Sequence, residues 1–273
     1  MPELPEVETI CRGLRMHLRD RRIVQVEVLQ PRLRNPVAPT LPAQLMGKRI
    51  TNVERLAKYI LLFLDGGMVW LFHLGMSGKL IFVGPETPRQ RHDHILASLD
   101  NGSELRYHDP RRFGLSLVVQ KNQLSELPQL RHLGMDPFDA GFTGKYLYNF
   151  TRHSERRLRD FLLDQRVVAG VGNIYANEIL FRGGVRPMTR SFRLTRKQTN
   201  QIAAMTSEVL GEAIRWCGTS FSDYRDADDN FGEFQNHLRV YDREGEPCRI
   251  CRAKIKRVTM GARSAFYCPS CQK

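Results

Sequence analysis

No stretch of this 273-residue chain approaches the ~20 consecutive apolar residues of a membrane span, so no membrane-embedded role is expected. The opening Met1-Pro2-Glu3-Leu4-Pro5-Glu6 is acidic and lacks the build of a signal peptide. Internal repeats and low-complexity tracts are also missing, which excludes repeat arrays. Cysteine is scarce, with six residues, and only Cys11 and Cys217 lie outside a C-terminal cluster. Two scattered thiols make no disulfide framework and fit a reducing cytosol. Acidic residues are outnumbered: 29 Asp+Glu against 42 Lys+Arg leave a net charge of +13. A chain with a pI near 9.8 is drawn to polyanions, although a basic pI alone names no partner. With 41% hydrophobic residues it can build cores and is not a disordered basic tail. Its length allows two or three domains.

The cysteine cluster is the most specific feature present. Cys248 and Cys251, then sixteen intervening residues, then Cys268 and Cys271 form two C-x2-C knuckles whose thiolates can converge on one tetrahedral zinc. The intervening Arg252–Tyr267 is dense in Arg and Lys, so a metal-stapled basic hairpin able to grip nucleic acid is expected. The plainer alternatives are two disulfides, or a zinc that only holds the tail together.

Helical spacing of Val7, Ile10, Cys11, Leu14 and Leu18 predicts a helix almost from the first residue, with Pro5 suited to its first turn and Glu6 and Glu8 to its N-terminal end. Strands are predicted at Ile23–Leu29, Arg49–Val53, Tyr59–Leu64, Met68–Leu74, Lys79–Val83, His94–Leu99, Glu104–Tyr107 and Leu115–Val119. Asp100-Asn101-Gly102 is a hairpin turn. So many short strands suggest a β-sandwich of about 130 residues. Beyond residue 130 the pattern turns helical, at Ser154–Leu163, Asn173–Phe181 and Arg196–Trp216. A glycine-rich turn, Ala169-Gly170-Val171-Gly172, separates the first two. Asp223–Gly232 is polar and aperiodic and predicts a mobile loop, and Phe234–Tyr241 leads toward the zinc hairpin.

Several groups could carry chemistry. Proline at position 2 permits removal of Met1, which leaves Pro2 with a secondary amine able to attack a sugar C1′ and form an iminium. By itself it reads more simply as a processed terminus. Glu3 and Glu6 stand beside that amine and could shuttle a proton, or only favour the helix start. Lys58, between Ala57 and Tyr59, could reach a phosphate, act as a local acid or base, or simply snorkel at a strand end. Backbone N–H groups at Gly170-Val171-Gly172-Asn173 could hold a phosphate, with Asn173 doubling as a helix cap. Asp109-Pro110-Arg111-Arg112-Phe113-Gly114 joins a cation to an aromatic on a tight turn, suited to filling a gap in stacked DNA. Met76 is a second possible wedge, although a lone Met is more often core.

Together these motifs resemble the bacterial formamidopyrimidine-DNA glycosylases. The resemblance rests on Met1–Thr9, His73-Leu74-Gly75-Met76-Ser77-Gly78, Asp109–Gly114, Asp164-Gln165 through Gly172-Asn173-Ile174-Tyr175, and the four-cysteine finger with Arg263 five residues before Cys268. It spans essentially the whole chain. It implies an α+β multidomain fold: an N-terminal helix plus β-sandwich over 1–130, a helical helix–two-turn–helix domain with a lesion-capping loop over 131–237, and a four-cysteine zinc finger over 238–273. Pro2 would be the Schiff-base nucleophile, Glu3 the proton donor and acceptor, Lys58 an aid to β-elimination, and Arg263 an aid to δ-elimination. Met76, Arg111 and Phe113 would fill the hole left by a flipped base. His92, Asn173 and Arg152, or a neighbour of Arg152, would contact DNA. One structural Zn2+ is implied, held by Cys248, Cys251, Cys268 and Cys271.

The implied activity is a glycosylase and apurinic/apyrimidinic lyase acting on oxidised purines in double-stranded DNA, as a monomer in the bacterial cytoplasm and nucleoid. Two alternatives stand beside it. One is an enzyme resembling endonuclease VIII, for oxidised pyrimidines; the other is a non-catalytic zinc protein that binds damaged DNA and has no need of Pro2 or Glu3. Two departures from the family pattern bear on the site. Cys217-Gly218 replaces a common glycine pair and Ser222 stands where relatives carry a basic residue, which leaves lesion preference open. Arg159 replaces a common Lys and is expected to keep a phosphate contact.

Overall fold

The structure, a computed structural model, describes residues 2–220 and 224–273. Met1, and with it the expected unmasking of the Pro2 amine, lies outside the described residues, as does Ser222. By their contacts the residues form two compact units, Met1–Arg131 with Ile214–Gln235, and His132–Ala213 with Asn236–Lys273.

In the first unit α1 (Leu4–Leu18) presents Val7, Ile10, Cys11, Leu14 and Leu18 as one buried face. Then come β1 (Ile23–Val28), α2 (Leu41–Leu45), β2 (Ile50–Leu56), β3 (Tyr59–Leu64), β4 (Met68–His73), β5 (Lys79–Val83), β6 (Asp93–Leu99), β7 (Glu104–His108) and β8 (Leu115–Gln120). The strands make two four-stranded antiparallel sheets, ordered β1-β6-β7-β5 and β2-β3-β4-β8. Inward residues of both, such as Leu62, Trp70 and Phe72 from one and Ala97, Leu105 and Tyr107 from the other, share one core. This is the expected sandwich, with strand positions within a few residues of the sequence reading. Side chains of α1 also grip the backbone of β2: Arg15 donates twice to the Val53 carbonyl (2.9 and 2.7 Å), and Arg55 returns a bond to Glu8 (3.1 Å).

The aperiodic segment expected to be a polar loop carries two core residues. Tyr224 and Ala227 are buried with the sandwich core, and the Ala227 carbonyl accepts the Phe82 N–H (3.0 Å). Gly13 makes the room: a Cβ there would lie 2.8 Å from that of Ala227. Two buried anchors among mostly polar residues generate no periodicity for a sequence reading to detect.

The second unit contains α3 (Gly144–Arg152), α4 (Leu158–Leu162), α5 (Asn173–Arg182), most of α6 (Arg196–Arg215) and a hairpin of β9 (Lys256–Met260) with β10 (Arg263–Tyr267). The helix expected over Ser154–Leu163 is only Leu158–Leu162. Backbone groups at its predicted start pair elsewhere: Leu158 N–H with Thr189 O (2.8 Å), and Ser191 N–H with Arg156 O (2.9 Å). Sequence reading missed α3, whose start is capped by the Thr143 hydroxyl accepting from Tyr146 N–H (3.2 Å).

Candidate functional site

The N-terminal turn is built by reciprocal capping. Glu3 is the N-cap of α1 and Glu6 its third residue; the Glu6 carboxylate accepts the Glu3 N–H (2.8 Å). Pro2, Glu3 and Glu6 are all buried. Glu6 also accepts the Thr219 N–H (2.8 Å), tying the helix start to the 217–220 loop. Glu6 thus binds backbone both at the helix start and in the 217–220 loop. Gly218, at φ +80°, lies against it: a Cβ at 218 would be 2.8 Å from its carboxylate oxygen. The Tyr224 hydroxyl donates to the Cys217 carbonyl (3.0 Å), and its burial and the nearby Glu6 charge raise its pKa well above the ordinary phenol value.

Lys58 sits at the tip of the β2–β3 hairpin, after Ala57 in the left-handed region (φ +54°). Arg55 donates to both Glu8 and the Ala57 carbonyl (3.3 Å), so the start of α1 and this tip share one guanidinium. Near Lys58 lies a residue that sequence reading quoted within a motif but gave no role. His73 accepts the Gly75 N–H at Nδ1 (3.1 Å), which leaves its proton on Nε2. Burial, then the charges of Lys58 and Arg34, push its pKa down to about 4, so it is a neutral donor at pH 7. With Arg34 and Tyr59 it lines a cleft of about 340 Å³.

The two predicted wedge turns are packed backbone to backbone. A Cβ on Gly75 (φ +63°) would lie 2.6 Å from the Phe113 carbonyl carbon, and one on Gly114 would strike the Tyr107 hydroxyl. Buried Asp109 organises both turns, accepting from Ser77 Oγ (2.8 Å), Tyr107 OH (3.1 Å) and Gly114 N–H (2.9 Å). Met76 (41% exposed) and Phe113 (45%) project from them, and the Arg111 guanidinium lies 4.8 Å from the Phe113 ring centroid. His92 joins the same cluster, since its carbonyl accepts the Asp109 N–H (3.0 Å).

In the second unit Gln165 folds the glycine-rich turn before α5. It accepts from Gly170 N–H (2.9 Å) and donates to the carbonyls of Leu163 (3.1 Å) and Val171 (2.8 Å). Gly172, rather than Asn173, is the N-cap, and Asn173 opens α5 with its amide committed to the Ser264 carbonyl (3.1 Å). Asn173 thereby stands beside β10 and Arg263, whose side chain is exposed. Arg152 is separate from that network: it donates to the Leu194 carbonyl (2.8 Å) and lies 4.4 Å from the Tyr148 ring centroid.

The four cysteine sulfurs of the finger all lie within 4.8 Å of one another. Cys251 and Cys268 are 3.4 Å apart, Cys248 and Cys271 3.9 Å. Tetrahedral zinc with bonds of ~2.3 Å calls for sulfurs ~3.8 Å apart, so the set fits one ion. Backbone N–H groups of Ile250 and Cys271 point at Cys248 and Cys268 sulfurs (3.4 Å each), as suits thiolates. The same sulfurs sit in a small core of Phe181, Val240, Ile255 and Phe266.

Three family descriptions match in order. The formamidopyrimidine-DNA glycosylase N-terminal domain matches residues 1–116, its H2TH domain residues 133–225, and the zinc finger found in FPG and IleRS residues 245–273. Curated formamidopyrimidine-DNA glycosylases of Hahella chejuensis and Thioalkalivibrio sulfidiphilus are 45% and 44% identical, each covering 100% of both chains. Among solved structures, a variant of the Lactococcus lactis FPG protein complexed with Fapy-dG DNA is similar at a TM-score of 0.93 and 31% identity, covering 100% of both chains. The Thermus thermophilus FPG protein is similar at 0.89 and 36%, covering 99% of this chain and 98% of that one. The Lactococcus lactis protein is also known in complex with abasic-site DNA, at 0.92 and 30%, covering 99% of each chain.

Proposed function

Because the chain belongs to the formamidopyrimidine-DNA glycosylase family, we propose that it excises oxidised purines from duplex DNA through Pro2 and then cleaves the strand at the resulting abasic site. The observation that carries this reading is the buried Pro2-Glu3 pair at the head of α1, in a chain that resembles the family along its full length.

A base within a duplex is unreachable, so the lesion must be turned out at a cost of about a few kcal/mol of stacking. Met76, Arg111 and Phe113 offset that cost by occupying the vacancy. Freed of Met1, the Pro2 nitrogen attacks C1′; the bond from C1′ to the base breaks, and Glu3 supplies and later recovers the proton that this requires. Cleavage of C1′–O4′, with O4′ taking up a proton as it leaves, then opens the sugar to a C1′ iminium, which acidifies C2′–H. Loss of that proton breaks the C3′–O bond, with Lys58 assisting, and a second elimination breaks C5′–O, with Arg263 assisting. Hydrolysis of the iminium frees the sugar remnant as an aldehyde and returns the Pro2 amine. Lys58, Arg34 and the neutral His73 form a donor-only group suited to a phosphate beside the lesion, and Asn173 suits the backbone at the two-turn element. Cys248, Cys251, Cys268 and Cys271 would hold zinc with no open position for a catalytic water, so the metal's part is to shape the finger. We place the enzyme as a monomer in the bacterial cytoplasm.

Borohydride trapping tests this. Wild type should form a covalent adduct with a duplex containing 8-oxoguanine, Pro2→Gly should form none, and Glu3→Gln should lose base excision at least a hundredfold while keeping most duplex affinity. A wild type that forms no adduct, on either 8-oxoguanine or abasic DNA, sinks the enzyme reading. Faster turnover of thymine glycol than of 8-oxoguanine would favour the pyrimidine alternative.

A further inference from the structure

Arg159 was expected to contact phosphate, as a stand-in for a lysine. Its surroundings say otherwise. It lies on α4 and is only 2% exposed. A guanidinium has five N–H donors, and in this protein all five are engaged. Nε and Nη2 donate to the Asp160 carboxylate, Nη2 also to the Met260 carbonyl (2.7 Å), and Nη1 to the Arg263 carbonyl (3.2 Å) and the Asn173 side-chain oxygen (3.5 Å). A phosphate could be bound only by displacing one of these.

The two carbonyls are no random pair. Met260 and Arg263 are the last paired residues of the β9–β10 hairpin, flanking the Gly261-Ala262 tip, with Gly261 at φ +60°. One guanidinium therefore pins both sides of the turn that carries the exposed Arg263. On the next residue the Ser264 carbonyl is held by Asn173, itself bonded to Arg159. Neighbouring Asp160 supplies the counter-charge, so a buried cation is balanced without an anionic ligand.

We infer that Arg159 is a positioning residue: it fixes the finger tip so that Arg263 meets the abasic product, and it makes no phosphate contact. A lysine has three donors on one nitrogen and cannot span all these acceptors, so this chain holds its finger tip by a fork where a lysine would give a point. The inference rests on the role proposed for Arg263.

The test uses the full-length zinc-loaded protein as wild type, Arg159→Gln, Arg159→Lys, Arg263→Ala and the double variants. Three quantities are read: the ratio of β,δ- to β-elimination product from an abasic duplex in single turnover, the slope of log affinity against log salt, and the yield of borohydride adduct. The expected result for Arg159→Gln is a ten- to hundredfold slower δ step, an unchanged adduct yield and an unchanged salt slope, with a smaller loss for Arg159→Lys. In the Arg263→Ala background the Arg159 effect should vanish, because it acts through that residue. A salt slope shallower by about 0.9 would show a lost phosphate contact and overturn the inference. So would an unchanged product ratio in both Arg159 variants when Arg263→Ala alters it. If Arg159→Gln fails to retain zinc, Arg159→Lys alone carries the same three readouts. Failure of wild type to form the adduct would instead strike the proposed function, and is distinguishable because it does not involve Arg159.

Discussion

At Gly218 space and backbone agree. A methyl group there would press on the Glu6 carboxylate, and φ is +80°. Gly218→Ala should cost about 1–3 kcal/mol of stability and slow base excision more than duplex binding; thermal melts and single-turnover excision check this. His73 makes a pH-dependent contribution. Its pKa falls from 6.5 to about 4 on folding, so below pH ~6.5 the unfolded chain takes up a proton that the folded one refuses. Stability is therefore complete above pH ~6.5 and lost as pH falls toward 4. His73→Gln should flatten the stability curve in that window, removing about 2 kcal/mol of the difference between pH 7 and pH 5 in denaturant titrations.

At the scale of elements, the paired turns at 74–78 and 109–114 behave as one device hinged on Asp109. Asp109→Asn turns one of its two acceptor oxygens into an amide donor facing a group that also donates, and should cost about 2–3 kcal/mol. Because Met76 and Phe113 ride on those turns, excision of a paired lesion should fall, while trapping on an already abasic duplex persists; comparing the two substrates isolates the wedge. How legible these elements were varies with where their bonds go. Strands were readable because alternation and the Asp100-Asn101-Gly102 turn are local, and α1 because its apolar spacing is. The false extension of α4 and the hidden anchors Tyr224 and Ala227 were not, since their partners lie tens of residues away in sequence. The same holds inside the site. The cysteine spacing announced its own geometry, and the residues proposed as wedges stood out as motifs, whereas Asp109 as organiser and the five-fold satisfaction of Arg159 exist only in three dimensions.

For the molecule as a whole, the excess of basic residues should make duplex binding steeply dependent on salt, and the metal should matter through the finger. Removing zinc by chelation, or ligand loss in Cys251→Ser, should lower duplex affinity at least tenfold and flatten the salt slope, as anisotropy titrations would show; equal affinity without metal would contradict a DNA-facing finger. The second unit adds a constraint on how the finger can be used. Three polar residues of α5 reach across to it: Asn173 to the Ser264 carbonyl, Asn177 to the Phe266 N–H (2.7 Å), and buried Glu178 to the N–H groups of Arg239, Val240 and Tyr241 (2.9 Å each). The ion folds the finger, but the helix aims it. A peptide cut out at 238–273 would load metal and still point nowhere in particular, so transplanting this finger to another scaffold means carrying α5 along as its mount.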